Sequence, residues 1–271
     1  MFASHSSARR LPSCRKAGAG LVASIVLAAL QMPGHAQDVG SDRWQFELTP
    51  YLWAAGMDGT VRVNNRPEAG LAVEQSFSDI FKILEFALMG EFEARKGRWG
   101  LTADGVYFKV NDEGAVSGPL GFVTLGANAN LTQQMYSLAG SYRLVEGGTP
   151  VDLFGGLRYT SVKWDIDIAA SVPVVADRRL VRNNDWIDPF IGVRVQHALD
   201  DRWSLVGYAD VGGFGVGSDL ALQAMAGVRY AFRPDIVGKF GYRYISADYD
   251  RHDFQYDMAN AGFYLAVGFR W

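Results

Sequence analysis

The stretch Gly262-Phe263-Tyr264-Leu265-Ala266-Val267-Gly268-Phe269-Arg270-Trp271 decides how the rest of the chain is read. Phe263, Leu265, Val267, Phe269 and Trp271 are apolar and alternate with Tyr264, Ala266, Gly268 and Arg270. Successive side chains of a strand point to opposite faces. An apolar face backed by a smaller, more polar one suits a strand with lipid on one side and a lumen on the other. Such a strand cannot cross a bilayer alone, because its backbone groups need partners on both flanks. The chain upstream must therefore supply more strands of the same kind.

It does so at a regular spacing. In residues 44–54, Trp44, Phe46, Leu48 and Leu52 oppose Gln45, Glu47, Thr49 and Tyr51, with Pro50 tolerable at a bulge or strand end. In 85–95, Phe86, Leu88, Phe92 and Ala94 oppose Glu91 and Glu93. Further strands are expected at 99–110, 131–144, 151–168, 186–198, 203–214, 221–232 and 236–248. Tight turns join them at Lys96-Gly97-Arg98, 146–150, Asp200-Asp201-Arg202 and Arg233-Pro234-Asp235. The expected fold is all-β, an antiparallel up-and-down transmembrane barrel of about ten strands, with eight to twelve possible. Four short turns on one rim put both ends of the barrel on that rim. The longer connections, 55–84, 111–130, 169–185 and 249–260, fall on the other. Within the first, 76–84 reads as a short amphipathic helix capped by Ser78 or, with period two, as more strand. Trp44, Trp99, Trp203 and Trp271 fall at the short-turn rim, and Tyr107, Tyr242 and Tyr244 towards the other, the two aromatic girdles of a bilayer-spanning barrel.

Residues 1–36 read as a cleaved secretory signal: Arg9, Arg10, Arg15 and Lys16, then an apolar run from Ala17 to Leu30, then Gly34-His35-Ala36 before a cut at Gln37. Residues 37–271 form the single barrel domain. The signal holds four of the 26 Lys+Arg and none of the 29 Asp+Glu, so the remainder carries a formal charge near −7. It also holds the only cysteine, Cys14, which leaves no disulfide framework or thiolate chemistry. The absence of a basic excess argues against nucleic acid as a partner. Mean hydropathy near zero excludes a helical membrane protein and allows a barrel, whose polar inward residues cancel its apolar outward ones.

The segment Thr49-Pro50-Tyr51-Leu52-Trp53-Ala54-Ala55-Gly56-Met57-Asp58-Gly59-Thr60-Val61 resembles the opening of a widespread group of proteobacterial outer-membrane β-barrel proteins that has no settled activity. Phe77-Ser78-Asp79, Phe92-Glu93-Ala94-Arg95, Gly97-Arg98-Trp99-Gly100 and Gly241-Tyr242-Arg243-Tyr244 before Asp248-Tyr249-Asp250 are similar to segments of the same group. More loosely the chain resembles porin-like and OmpA- or OmpW-like small barrels. The resemblance covers nearly all of 37–271. It implies a Gram-negative outer-membrane location, with lipid and lipopolysaccharide as surroundings. It also implies an aromatic-ended last strand, Phe269 and Trp271, read by the barrel assembly machinery. It brings no catalytic residues, cofactor or oligomeric state.

The alternation assigns the lumen. Glu47, Glu91, Glu93 and Asp104 point inward from early strands, and Arg143, Arg158, Arg194, Arg229, Lys239, Arg243 and Arg270 from later ones, with Asp188 and Asp210 among them. Charges in a narrow wall must pair or find water. Either arginine–carboxylate pairs fill the lumen, or a thin water path runs between an acidic and a basic wall and selects small charged solutes. His252 sits among Asp248, Asp250, Asp253 and Asp257 in what reads as the last outer loop. That loop is a solvated acidic segment, a cation or lipopolysaccharide site, or half of a rim hydrolase. No convincing second half of a catalytic site is present. The leading expectation is a porin-like narrow channel or a structural envelope barrel rather than an enzyme.

Overall fold

The computed structural model describes residues 43–63, 70–117, 124–170, 178–251 and 254–271. The segment read as a signal lies outside them. The elements are β1 (Gln45–Val63), β2 (Gly70–Gln75), α1 (Phe77–Ile83), β3 (Leu84–Lys96), β4 (Trp99–Ser117), β5 (Thr124–Val145), β6 (Val151–Ala170), β7 (Arg178–Ala198), β8 (Trp203–Gly213), β9 (Leu220–Arg233), β10 (Ile236–Arg251) and β11 (Phe254–Arg270). β1 and β3 to β11 pair in chain order, all antiparallel. β11 returns to β1, from Glu47↔Arg270 to Val63↔Phe254, and closes a ten-strand barrel. Phe46 and Trp271 exchange two backbone hydrogen bonds at the rim, 3.0 and 3.1 Å. β2 is an additional strand on the outer end of β1.

The four short turns join β3–β4, β5–β6, β7–β8 and β9–β10 on the expected rim. Each uses local chemistry. Gly97 takes φ 57° and Gly147 φ 98°, conformations open to glycine at little cost. Asp200 accepts hydrogen bonds from the backbone N–H groups of Arg202 and Trp203, each 2.7 Å, and so folds its turn.

The opposite ends depart from expectation. The strands run on through most of what reads as loops: β5 has 22 residues and β7 has 21, where a tilted span needs about 9–11. The reason is an inversion of polarity along each strand. From the short-turn rim to mid-height the outward residues are apolar, among them Leu52, Leu88, Leu138, Leu157, Ile191, Phe240 and Phe263, all exposed. Tyr107, Tyr136, Tyr159 and Tyr244 end this band. Beyond it Asp58, Lys163, Asp185 and Asp257 face outward, exposed. The inward face changes oppositely, charged below and apolar above. Trp53, Met57, Val106, Phe108, Leu131, Met135, Val162, Trp186, Phe254, Tyr256 and Met258 form one buried cluster in the outer half. There the barrel is built like a water-soluble one, and alternation carries the strands onward with reversed sides.

The helix forms, but its cap is Ser76 rather than Ser78. The Ser76 hydroxyl accepts from the N–H of Asp79 at 3.3 Å, two residues earlier than expected. The segment 60–63 extends β1, and Met57 to Arg62 pair with β2, which adds one strand beyond the closed ring.

A charged lumen beneath an apolar plug

Of the thirteen charged residues assigned to the lumen, twelve meet there in three groups. Nearest the short-turn rim, Glu93 on β3 receives Arg194 of β7 across the barrel through both guanidinium nitrogens, 2.7 and 2.8 Å, and Arg95 at 3.0 Å. Asp152 on β6 accepts from Arg95 (3.0 Å), Arg143 (2.8 Å) and Arg194 (2.9 Å). Beside them Glu47 on β1 gathers Lys239 (2.5 Å), Arg270 (2.7 Å) and Arg229 (3.2 Å). Lys239 also donates to Thr49 at 3.0 Å and lies 3.7 Å from Glu91. Higher up, Asp104 of β4 accepts from Arg243 of β10 at 2.9 Å and from the Tyr51 hydroxyl at 2.7 Å. Arg158 donates to Asp210 at 2.7 Å, and Gln223 accepts from both Arg243 (3.0 Å) and Arg158 (3.4 Å). Asp188 serves the outer turn instead, taking the Trp186 indole N–H at 3.0 Å and the Ser218 backbone N–H at 2.6 Å.

Register explains part of this. Asp152 stands directly opposite both Arg143 on β5 and Arg194 on β7, the arrangement in which opposite charges stabilise a sheet. The acids of the early strands and the bases of the later ones face each other across the ring. The segregation visible in the sequence is therefore consumed in cross-lumen pairs. Arg158 lies over the Phe190 ring at 4.8 Å, and Arg243 over Trp53 at 5.1 Å, which adds a cation–π contribution where water is scarce. Two members were not anticipated. Arg95 shares the parity of Glu91 and Glu93, and Asp152 that of Arg158, so the same alternation could have found both.

Between the lower charged groups and the Asp104–Arg243 and Arg158–Asp210 pairs lies a cavity of about 110 Å³ bordered by Tyr51, Glu91, Asp104, Arg158, Arg194 and Arg243. That is room for several waters at roughly 10–15 Å³ each. Above it the inward side chains are those of the buried apolar cluster. A second void of about 10 Å³ beside Met135, Tyr256 and Met258 holds one water at most.

The acidic loop is not a loop. Asp248 and Asp250 lie on β10 and Asp257 on β11, with Asp248 opposite Asp257. Asp250 accepts from the Gln255 amide at 2.7 Å. Their strand parity turns them outward, because the sheet continues to Arg251 before turning back. His252 and Asp253 lie outside the described residues. Among the described residues no group of three His, Cys, Asp or Glu is placed to hold a metal ion. At the opposite rim the His197 Nδ1 and Thr149 hydroxyl lie 2.7 Å apart. Phe269 faces outward, exposed, while Trp271 stacks on Phe46 with ring centroids 5.8 Å apart.

No protein-family model matches the sequence, and no curated protein is detectably similar to it. Solved structures do resemble it. The outer membrane protease OmpT of Escherichia coli superposes with a TM-score of 0.52 at 11% identity, covering 87% of this chain and 99% of that one. The translocator domain of the autotransporter NalP from Neisseria meningitidis gives 0.43 at 11%, covering 92% and 93%. The attachment invasion locus protein Ail of Yersinia pestis gives 0.36 at 10%, covering 86% and 100%. At these identities the likeness is one of fold: a closed antiparallel barrel of the outer-membrane kind.

Proposed function

We propose that the protein is a Gram-negative outer-membrane barrel with a closed lumen, a structural envelope protein rather than an open porin-like channel. The observation that carries this reading is the apolar cluster around Trp53, Val106, Met135 and Met258, which occupies the lumen where a pore would need a wetted path. An apolar constriction of this kind excludes ions by remaining dry. Below it the charged residues hold one another in place, and their field is spent across the barrel rather than on a passing solute. The apolar band between tryptophan and tyrosine girdles supports residence in a bilayer. Short turns would face the periplasm, and the polar-coated outer half would stand above the lipopolysaccharide surface. Phe269 and Trp271 would present the last strand to the assembly machinery. This reading gives the barrel no catalytic centre, and a fold shared with a protease brings none. The test is planar-bilayer conductance of refolded protein. Silence from a folded barrel is expected, and reproducible current steps from wild-type protein would overturn the reading.

A further inference from the structure

The barrel wall is not zipped along its whole height. β1 pairs with β3 only from Gln45↔Arg95 to Pro50↔Gly90. β1 then pairs with β2 from Met57 to Arg62. Between these, residues 51–56 of β1 have no strand partner on that flank among the described residues, and neither do residues 84–89 of β3. Pro50, which lacks an N–H, stands where the two strands part. In an antiparallel ladder about half of the N–H and C=O groups of such a stretch face the missing neighbour.

The seam lies in the half of the apolar band nearest the tyrosine girdle. Its outer lips are lipid-facing: Leu52 is 70% exposed, Leu88 66% and Phe86 53%. Its inner lining is apolar as well. Ala55, Ala87, Met89, Ile80, Ile83 and Leu84 pack against the buried cluster that contains Trp53. At its upper end Glu85 and Lys109 form an ion pair, with Asn111 donating to Glu85. α1 covers the upper end, contacting β1 and β4. It is a slight cover: seven residues, none buried, with Phe77 and Phe81 exposed beside each other at 5.7 Å. Its approach is set by Gly56, where an added Cβ would come within 2.9 Å of the Gln75 carbonyl oxygen.

An open sheet edge in hydrocarbon costs several kcal/mol for each unpaired group, and such edges persist only where they line a cavity or are buried by protein. The seam therefore makes sense as a gate. We propose that the gap between β1 and β3 is a lateral opening into the apolar outer half of the barrel, entered by an acyl chain of the surrounding membrane lipid. Hydrocarbon is the chemistry its lips already face, and a chain entering there crosses no water. Beyond the seam it meets methionines and a tryptophan, side chains that repack around apolar guests. The zipped state is available to the same residues. Continuing the register past Pro50↔Gly90 sets Leu52 opposite Leu88 on the outer face and Trp53 opposite Ala87 on the inner, with no change of parity.

Trp53 reports directly. In a variant with Trp44, Trp99, Trp164, Trp186, Trp203 and Trp271 replaced by phenylalanine, Trp53 fluorescence is compared in phosphatidylcholine vesicles with and without bromine on the acyl chains. Quenching by the brominated chains is expected. A variant keeping only Trp186, on the far wall, should be insensitive. In a Cys14→Ser background, Leu52→Cys with Leu88→Cys zips the seam on oxidation, which should abolish the quenching, and reduction should restore it. Native mass spectrometry of this cysteine pair with all tryptophans present is the second readout: lipid should remain bound to the reduced protein and be lost from the oxidised one. The proposal is overturned if Trp53 is as insensitive as Trp186, if quenching survives zipping, or if lipid binding ignores it. A dimer that dissociates on zipping would give the seam to a second copy and would equally overturn it.

Discussion

Replacing Asp152 with asparagine tests whether the lumen is closed, because the cost depends on how wet the site is. The Asp152 side chain is 4% exposed and holds three guanidinium groups at 2.8 to 3.0 Å. In an open, water-filled pore these would behave as solvent-exposed pairs, each worth about 0–1 kcal/mol. In a closed lumen, removing the carboxylate leaves Arg95 and Arg194 to share Glu93 and takes from Arg143 the carboxylate it donates to. Breaking a buried ion pair from one side costs about 3–5 kcal/mol. Asparagine can still accept one hydrogen bond, so about 3 kcal/mol is expected. The assay is urea unfolding of protein refolded into lipid vesicles, followed by tryptophan fluorescence and circular dichroism. The midpoint should fall with the slope unchanged. Adding Arg143→Gln, which removes the most exposed of the stranded cations, should recover part of the loss. A loss below about 1 kcal/mol would refute the reasoning and would mean that water reaches this layer freely.

Three further outcomes follow from the same structure. Met258→Ala, within the apolar cluster and 2% exposed, should cost about 2–5 kcal/mol in the same unfolding assay, whereas its outward neighbour Asp257→Ala should cost little. Gly262→Val should block closure of the barrel, since any Cβ there collides with the Ala54 carbonyl where β11 meets β1; folded yield by circular dichroism in vesicles should collapse, while Gly97→Ala, in an open turn, should fold with a modest loss. The N–H groups of Trp203 and then Arg202 hold the Asp200 carboxyl below the usual carboxylate range. Because its folded pKa is depressed, its stabilisation is present above the unfolded value and fades as pH falls through the folded one. Asp200→Asn should therefore lower stability at neutral pH, leave it little changed in acid, and so flatten the acid limb of a stability–pH curve.

Much of the fold was legible because alternation is a local signal. The terminal stretch, the four tight turns and the tryptophan positions each bear on a few neighbouring residues, and they fixed strand number and rim assignment. Glu93, Arg194, Asp104 and Arg243 could be placed in the lumen by parity alone, but not paired. Which acid meets which base depends on shear and on chords such as β3 to β7, and the sequence writes neither down. The strand ends were missed for a different reason. Beyond the tyrosine girdle the outward residues become polar, and polar, glycine-containing stretches such as 111–130 look like loops when one side is assumed always to face lipid. The seam was least visible of all, since Pro50 marks where pairing stops on β1 but nothing local says that β3 pairs with it only from Gly90 down.

The inversion of polarity along the strands has a consequence for how the sequence can vary. On β1 the even positions Phe46, Leu48 and Leu52 meet hydrocarbon, while higher up the odd positions Met57 and Val61 are the ones sealed from water. A charged substitution is thus forbidden at even numbers early in the strand and at odd numbers late in it. A complete substitution scan would show a tolerance pattern that slips by one residue near Trp53, and by the same step at the same height on every long strand. Read around the ring, that phase slip would draw the level at which the membrane ends, without any label or lipid in the experiment.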